Sequence, residues 1–394
     1  MKKIIFLIMC VFFTGITTVH AQTNTYENAE KDFGIGIYGD INMDMFYSYG
    51  TSDNHINKAA VFQSGHHSFG SQNFLDDSYL GIDMTYKNLA LKFELGISDY
   101  VRKYVLKYNF NDKYNQFISV GRDSTLAYYQ MGQVLNGYQG LTNFGALNSD
   151  NRRLQVRYGI ENFEAALIFP YLGPDYEQAN DNAFFARNFN NEFLGFAAIP
   201  RLEAAYYYDY KNLLSLKAFA SYGVTVYAQE HTYKKDDVHT ASLGAGGRYY
   251  WLDKGFFDFT GWLGLNLYQT NALTNEKLNP VYGYIRDNFQ GTGFIENIGH
   301  SDIFSFGFAA AAGYEFEAYN IKFVPQFGLG YMGSHSKDFI DVDSELGIYA
   351  NVSIKFNEYI DIIPEIAFLH SLDNGYDQKE GFQFIMGVNG RFRF

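Results

Sequence analysis

The sequence predicts an all-β chain folded as a transmembrane antiparallel β-barrel of about sixteen strands. Three observations carry that expectation. Apolar residues recur at every second position over long stretches. The aromatic load is high, with 34 Tyr and 38 Phe beside 38 Gly and only 6 Pro. The last stretch alternates cleanly up to a terminal Phe394. A soluble chain of this size would bury a Leu- and Val-rich core; here aromatics are spaced by two.

The first element is an export signal. Met1-Lys2-Lys3 precedes an apolar run from Ile4 to Ile16, and Val19-His20-Ala21 stands before Gln22. A basic start, an apolar stretch and a small residue at the cut define a cleaved Sec signal over residues 1–21. Roughly 13 apolar residues fall short of the ~20 that span a bilayer as a helix. Lipoprotein processing at Cys10 is disfavoured, because Met9 stands where a small residue is wanted. A short periplasmic segment, 22–32, follows, and the barrel occupies 33–394.

Composition narrows the function classes. Cys10 is the one cysteine and leaves with the signal, which excludes disulfide frameworks and thiolate chemistry. Losing Lys2 and Lys3 lowers Lys plus Arg from 30 to 28; against 43 Asp plus Glu the net charge becomes −15. That balance argues against nucleic acid as a partner. No later stretch reaches 18 consecutive apolar residues, so helical spans are not expected.

The strands follow from period two. Phe33, Ile35, Ile37, Ile41, Met43, Met45 and Tyr47 are apolar, between Gly34, Gly36, Asp40, Asn42 and Asp44. Leu80, Ile82, Met84 and Tyr86 repeat the pattern, as do Leu89, Leu91, Phe93, Leu95 and Ile97. Late in the chain Phe304, Phe306, Phe308, Ala310, Ala312, Tyr314 and Phe316 do the same. Sixteen strands are placed near 33–48, 72–86, 89–98, 101–110, 115–122, 152–160, 162–170, 198–210, 213–228, 239–251, 256–270, 302–317, 320–334, 343–356, 359–371 and 380–394. A soluble sandwich also alternates, but its strands average ~5–6 residues, against the 9–11 of a tilted membrane strand. The alternate face, rich in Gly, Ser, Asn, Lys, Glu and Arg, suits a water-filled lumen better than a sandwich core. Aromatics such as Tyr206, Tyr208 and Tyr210 gather at strand ends, where an interfacial girdle lies.

Connection lengths alternate too. Short turns fall at Lys87-Asn88, Asn111 to Tyr114, Glu161, Lys211-Asn212, Leu252 to Gly255, Ala318-Tyr319 and Asn357-Glu358. Long polar connections occupy 49–71, 123–151, 171–197, 229–238 and 271–301. These are the periplasmic and extracellular rims of an outer-membrane barrel. Pro325 and Pro364 interrupt two late strands and predict local distortion, since each deletes a ladder hydrogen bond.

The C-terminal strand, with Phe384, Met386, Val388, Phe392 and Phe394 on one face, resembles the signal read by the barrel-assembly machinery. Gly36-Ile37-Tyr38-Gly39-Asp40-Ile41, Ser119-Val120-Gly121-Arg122, Arg152-Arg153-Leu154-Gln155-Val156-Arg157-Tyr158 and Glu161-Asn162-Phe163 resemble, in order, short stretches of the general bacterial porins. The likeness covers the mature chain in architecture and only these stretches in residues. It implies a homotrimer of water-filled barrels in the outer membrane, each narrowed by its third loop, here 123–151. It also implies wall arginines, matched by Arg122 and Arg157.

Parity adds to the resemblance. Leu154, Val156 and Tyr158 face lipid, so Arg153, Gln155 and Arg157 face the lumen; Lys103 and Lys107 point inward likewise. A charge on the lipid face at mid-depth costs about 2–4 kcal/mol. Arg122 shares parity with Ile118 and Val120 and is placed at a strand end or bend. The third loop departs from the family's acidic pattern, with acids only at Asp123 and Asp150. Its Tyr128, Tyr129, Gln130 and Tyr138 either pack the loop on the wall or form a neutral, hydrogen-bonding throat that favours anions or sugars.

No catalytic constellation, cofactor motif or metal site is read from the sequence. The scattered histidines lie mostly in predicted loops, and Ser119 or Ser305 lacks an evident partner for acyl chemistry. Asp341-Val342-Asp343-Ser344-Glu345 lacks a calcium-loop pattern. The expected function is passive diffusion of small hydrophilic solutes. A substrate-selective sugar or anion channel is the alternative, and a non-conducting surface barrel such as an adhesin the third.

Overall fold

The computed structural model describes residues 33–51, 67–72, 78–96, 101–129, 152–169, 193–196, 200–229, 235–252, 254–267, 302–336, 342–373 and 379–394. Its strands are β1 (Phe33–Thr51), β2 (His67–Gln72), β3 (Tyr79–Tyr86), β4 (Leu89–Gly96), β5 (Val101–Asn111), β6 (Gln116–Ser124), β7 (Arg152–Ile160), β8 (Phe163–Ile168), β9 (Phe193–Phe196) and β10 (Arg201–Tyr210). Then come β11 (Leu214–Gln229), β12 (Lys235–Trp251), β13 (Gly255–Leu265), β14 (Ile303–Tyr314), β15 (Phe316–Ala318), β16 (Ile321–Ser336), β17 (Asp343–Lys355), β18 (Ile360–Asp373) and β19 (Lys379–Arg393).

Three staves are interrupted. β2 and β3 pair with the same edge of β1, β9 and β10 with the same edge of β11, and β14 and β15 with the same edge of β16. Counting each such couple once, the segments form sixteen staves. The ring closes where β1 meets β19, from Asp40 opposite Arg393 to Thr51 opposite Phe382. Every pairing is antiparallel, and the sixteen staves close on themselves, as a membrane requires. Phe394 seals the seam: Gly39 N–H donates to the Phe394 carbonyl at 2.9 Å, and Phe394 N–H returns a bond at 3.2 Å.

The sixteen staves match the sequence expectation, but several rims are longer than predicted. β1 runs to Thr51, β2 and β9 lie inside stretches read as loops, and β12 begins at Lys235. Sequences such as Lys235-Asp236-Asp237 are polar on both faces, so pairing continues there without any period-two signal.

The turns between β3 and β4, β7 and β8, and β15 and β16 place Lys87, Glu161, Tyr319 and Asn320 at positive φ. That is the geometry by which a two-residue turn follows the right-handed twist of its strands. Both prolines break a ladder as expected. Between Gly313–Gln326 and Phe316–Phe323 the pairing is lost opposite Pro325, which is where β14 ends and β15 begins. Between Asn351–Glu365 and Ile354–Ile362 it is lost at Pro364.

Alternation sorts the faces. Ile37, Leu80, Tyr104, Leu202, Leu243 and Ile366 stand outward and exposed, while Asp40, Asp44, Glu94, Glu203, Asp258 and Glu365 are inward and buried. The inward set is not only polar, as the sequence reading expected. Phe46, Ile168, Phe219, Trp262, Met332, Tyr349 and Ile385 also turn inward and join one buried apolar cluster. Their short neighbours on the lumen face, such as Gly244 and Gly328, leave room for the rings of Phe219 and Tyr349.

Candidate functional site

The candidate site forms where the chain leaves β6 and turns into the barrel. Gly121 has φ +144°, and a Cβ there would fall on the Tyr104 carbonyl oxygen. Glycine alone lets β6 approach β5 so closely. Two residues on, Asp123 faces the lumen, and Thr125, Leu126 and Ala127 are fully enclosed within it.

Wall residues hold this segment through its backbone. Lys103 Nζ meets Asp123 Oδ1 at 2.6 Å, and Arg157 Nη1 lies 3.8 Å from Asp123 Oδ2. Gln155 Nε2 donates to the carbonyls of Asp123 and Ser124 at 2.7 and 3.0 Å, and Arg157 Nη2 donates to that of Ser124. On the far side, Glu203 Oε2 accepts from Leu126 and Ala127 N–H at 2.5 and 3.0 Å, while its Oε1 pairs with Arg201 at 2.7 Å. With Glu203 about 1% exposed, these bonds form away from bulk water. Bonds to a charged acceptor contribute about 1.5–3 kcal/mol each.

The segment then crosses to the next staves. Lys217 Nζ of β11 sits 4.4 Å from the Tyr128 ring and 5.5 Å from that of Tyr207. The Tyr129 ring lies over Gly246 of β12, where any side chain would occupy its place. Burial pushes the Tyr129 phenol above its ordinary pKa, so it stays neutral at physiological pH. From the end of β6 the described residues thus run as an inward ledge along the lumen faces of β10, β11 and β12.

The predicted residues divide. Lys103, Asp123, Gln155 and Arg157 come together, Arg153 lies in register with Asp123, and Tyr128 and Tyr129 enter the lumen. Lys107 points inward but stands apart, its Nζ 3.9 Å from the Phe117 ring. Arg122 does not reach the lumen. It lies in register between the outward Tyr104 and Leu154, and its Nε donates to the Arg152 carbonyl at 3.2 Å. Its neighbour Asp123 takes the inward position, so period two sends Arg122 out. Gln130, Tyr138 and Asp150 lie outside the described residues.

Sequence reasoning missed Glu203, Arg201 and Lys217. Parity alone would have turned Glu203 inward between Leu202 and Ala204, but not shown that it meets residues 126 and 127. Arg102 was hidden by a bulge: Glu94 pairs with Lys103 and Leu95 with Val101, so Arg102 is the extra residue. It turns inward beside Lys103, its Nε 3.5 Å from Glu94 and its guanidinium 4.2 Å from the Tyr79 ring.

Asp123 is the one acid in the described part of the third loop, and the other acids of the lumen stand on the wall. Arg157 also faces Glu164 at 3.4 Å, Arg248 holds Asp258 at 2.6 Å, and Arg391 is paired with Asp40. Ser305 faces inward, whereas His370 is in register with Leu346 and Phe382 on the outward face, so the two do not meet. Among the described residues no group of three or more His, Cys, Asp or Glu is placed to hold a metal ion, and no helix is long and apolar enough to cross a membrane.

A closed sixteen-stave barrel with an inward ledge defines the class: this is the fold of the bacterial outer-membrane porins. Solved structures agree at the level of fold. The outer-membrane channel DcaP of Acinetobacter baumannii superposes with TM-score 0.64 at 14% identity, over 93% of this chain and 99% of that one. OmpT of Vibrio cholerae, described as outer-membrane expressed, gives 0.52 at 14%, over 92% and 98%. The anion-selective porin from Comamonas acidovorans gives 0.51 at 15%, over 92% and 100%. No family model and no curated relative matches the chain.

Proposed function

We propose that the chain is exported, inserts in the outer membrane and forms a passive channel for small hydrophilic solutes. The observation that carries this reading is the ledge Ser124–Tyr129, fixed inside a closed barrel by Gln155, Arg157 and Glu203. A pinned ledge narrows a wide barrel and so sets a size limit on what passes. Lys103 and Arg157 hold its near end, and Arg201 and Lys217 its far end.

A homotrimer belongs to the same proposal. One solved form of Vibrio cholerae OmpT is described as a trimer, with TM-score 0.50 and 16% identity to this chain. Recognition of Phe392 and Phe394 by the assembly machinery accords with their place at the closing seam. Reconstituted protein should pass graded sugars in liposome swelling with a sharp size limit, and conduct in planar bilayers. A folded barrel that neither swells liposomes nor conducts overturns the reading in favour of a surface barrel.

A second reading, anion preference, is favoured by the cations around the ledge. Lys103, Arg157, Arg201 and Lys217 stand there against Asp123, Glu164 and Glu203, and Lys107 adds a cation with no carboxylate beside it among the described residues. Reversal potentials in a salt gradient should lean toward anions; a cation preference would end this second reading and leave the first intact.

A further inference from the structure

Where the barrel closes, at the lumen mouth on the side of the short turns, two ion pairs cross. Arg391 and Arg393 stand two residues apart on β19, in register with the inward, buried Asn42 and Asp40 of β1, so both turn into the barrel. On β18 the residue opposite Arg391 is Asp361, and on β1 the residue opposite Arg393 is Asp40. Neither arginine takes the carboxylate opposite it. Arg391 reaches to Asp40, its Nε 3.1 and 2.9 Å from Oδ1 and Oδ2, while Arg393 reaches the other way to Asp361. This crossing layers the charges. The Asp40 and Asp361 side chains are 7% and 4% exposed, whereas those of Arg391 and Arg393 are each 39% exposed. The carboxylates are set into the wall, and the guanidiniums stand between them and the channel. Arg248 and Asp258, on β12 and β13, repeat the layering at 37% and 1%. At the seam two guanidiniums come side by side, roughly 7 Å apart along one strand. Lys355 of β17, in register with Asp361, adds a third cation.

We infer that Arg391 and Arg393 form a subsite for an oxyanion of the phosphate class at this mouth of the channel. The inference rests on the passive-channel reading and names a class of solute for it. The subsite is separate from the ledge, whose cations belong to β5, β7, β10 and β11. Arg391 bonds Asp40 through Nε and Nη2, and Arg393 bonds Asp361 through Nη2. Their Nη1 groups make no bond among the described residues and remain as donors. A guanidinium presents its N–H donors in one plane, a geometry that suits the oxygens of an oxyanion better than a spherical halide. A tetrahedral phosphate has oxygens enough to accept from both arginines, whereas a carboxylate fills one fork. A sugar hydroxyl needs acceptors as well as donors, and the acceptors here are the buried Asp40 and Asp361. Their burial behind the guanidiniums also disfavours a cation.

The test records chloride conductance of single channels of the full chain in planar bilayers while inorganic phosphate is titrated in. Phosphate should reduce the chloride current in a saturable way. The double variant Arg391→Gln with Asp40→Asn leaves the net charge unaltered and removes one exposed guanidinium. It should need about tenfold more phosphate for the same block, the equivalent of one charge-assisted hydrogen bond. Where heat-modifiable gel migration shows that variant unfolded, Arg391→Lys takes its place. That change keeps the charge and removes the planar fork, and the block should weaken several-fold. A phosphate block undiminished in the folded variant overturns the inference in favour of the ledge cations. A conducting wild-type channel that phosphate does not block overturns it and leaves the channel reading intact. A folded wild-type barrel that does not conduct overturns the channel reading, and this inference with it.

Discussion

The lumen has two unlike walls. From β3 to β8 many of the inward residues are long and charged: Asp83, Lys92, Glu94, Arg102, Lys103, Lys107, Arg157 and Glu164. Part of this wall is wet, with the Asp83 and Lys92 side chains 48% and 39% exposed. From β11 to β16 they are mostly short or apolar. Ser221, Ser242, Gly264, Ser305 and Ser334 form one registered row, and Phe219, Gly244, Trp262, Gly307 and Met332 the next. The serines of that first row are buried, Ser305 and Ser334 completely. Both walls obey the same period-two rule. The difference is side-chain length: a wall of glycine and serine accepts material packed against it, as Tyr129 packs on Gly246 and Leu267 on Gly264. A wall of lysine and glutamate holds water and charge.

The largest effect should come from unpinning the ledge that joins the two walls. Glu203→Ala removes the acceptor of two N–H groups and leaves Arg201 without its ion-pair partner at Glu203. Breaking a buried pair in this way costs about 3–5 kcal/mol. Urea unfolding in detergent should register that loss, and single-channel conductance should rise as the ledge detaches. Unchanged conductance would show that the ledge does not limit the pore.

Filling the short wall should matter next. Gly246→Ala places a methyl group where the Tyr129 ring lies, at a cost of about 1–3 kcal/mol for overpacking. Conductance should change with it, whereas the same substitution at Gly36, with nothing near its Cβ position, should leave both quantities unaltered.

The smallest change in stability, and the clearest in selectivity, belongs to the charged wall. Lys107→Glu exchanges a lumen cation whose contact is an aromatic ring. Its stability effect should stay within about 0.5 kcal/mol, while the reversal potential moves toward cations. A reversal potential that does not move would place the ion path away from β5.

How far the site was legible depended on the kind of information each residue carries. Lys103, Gln155 and Arg157 were readable because they interrupt outward apolar rows, and charge on the lipid face is costly. Asp123 and Tyr128 were found by their place after the fifth predicted strand. Glu203 and Lys217 carried the same parity signal, but their partners lie about 80 to 90 residues away in the chain, and parity assigns no partner. Arg102 escaped because one bulge shifts its face, and no residue in the sequence marks a bulge there.

The sequence by itself determined the barrel. Period two fixes which side chains meet lipid, alternating connections fix strand order, and a strand with both faces specified has one tolerable register. What only the tertiary structure decided was the inside of the barrel. Which wall is dry and where the ledge is pinned depend on residues brought together by ring closure. That closure juxtaposes Met45 with Val388 and Asp40 with Arg391, across more than three hundred residues of chain. Local pattern carries no record of such distances, because the hydrogen bonds that close the ring are the same at every stave.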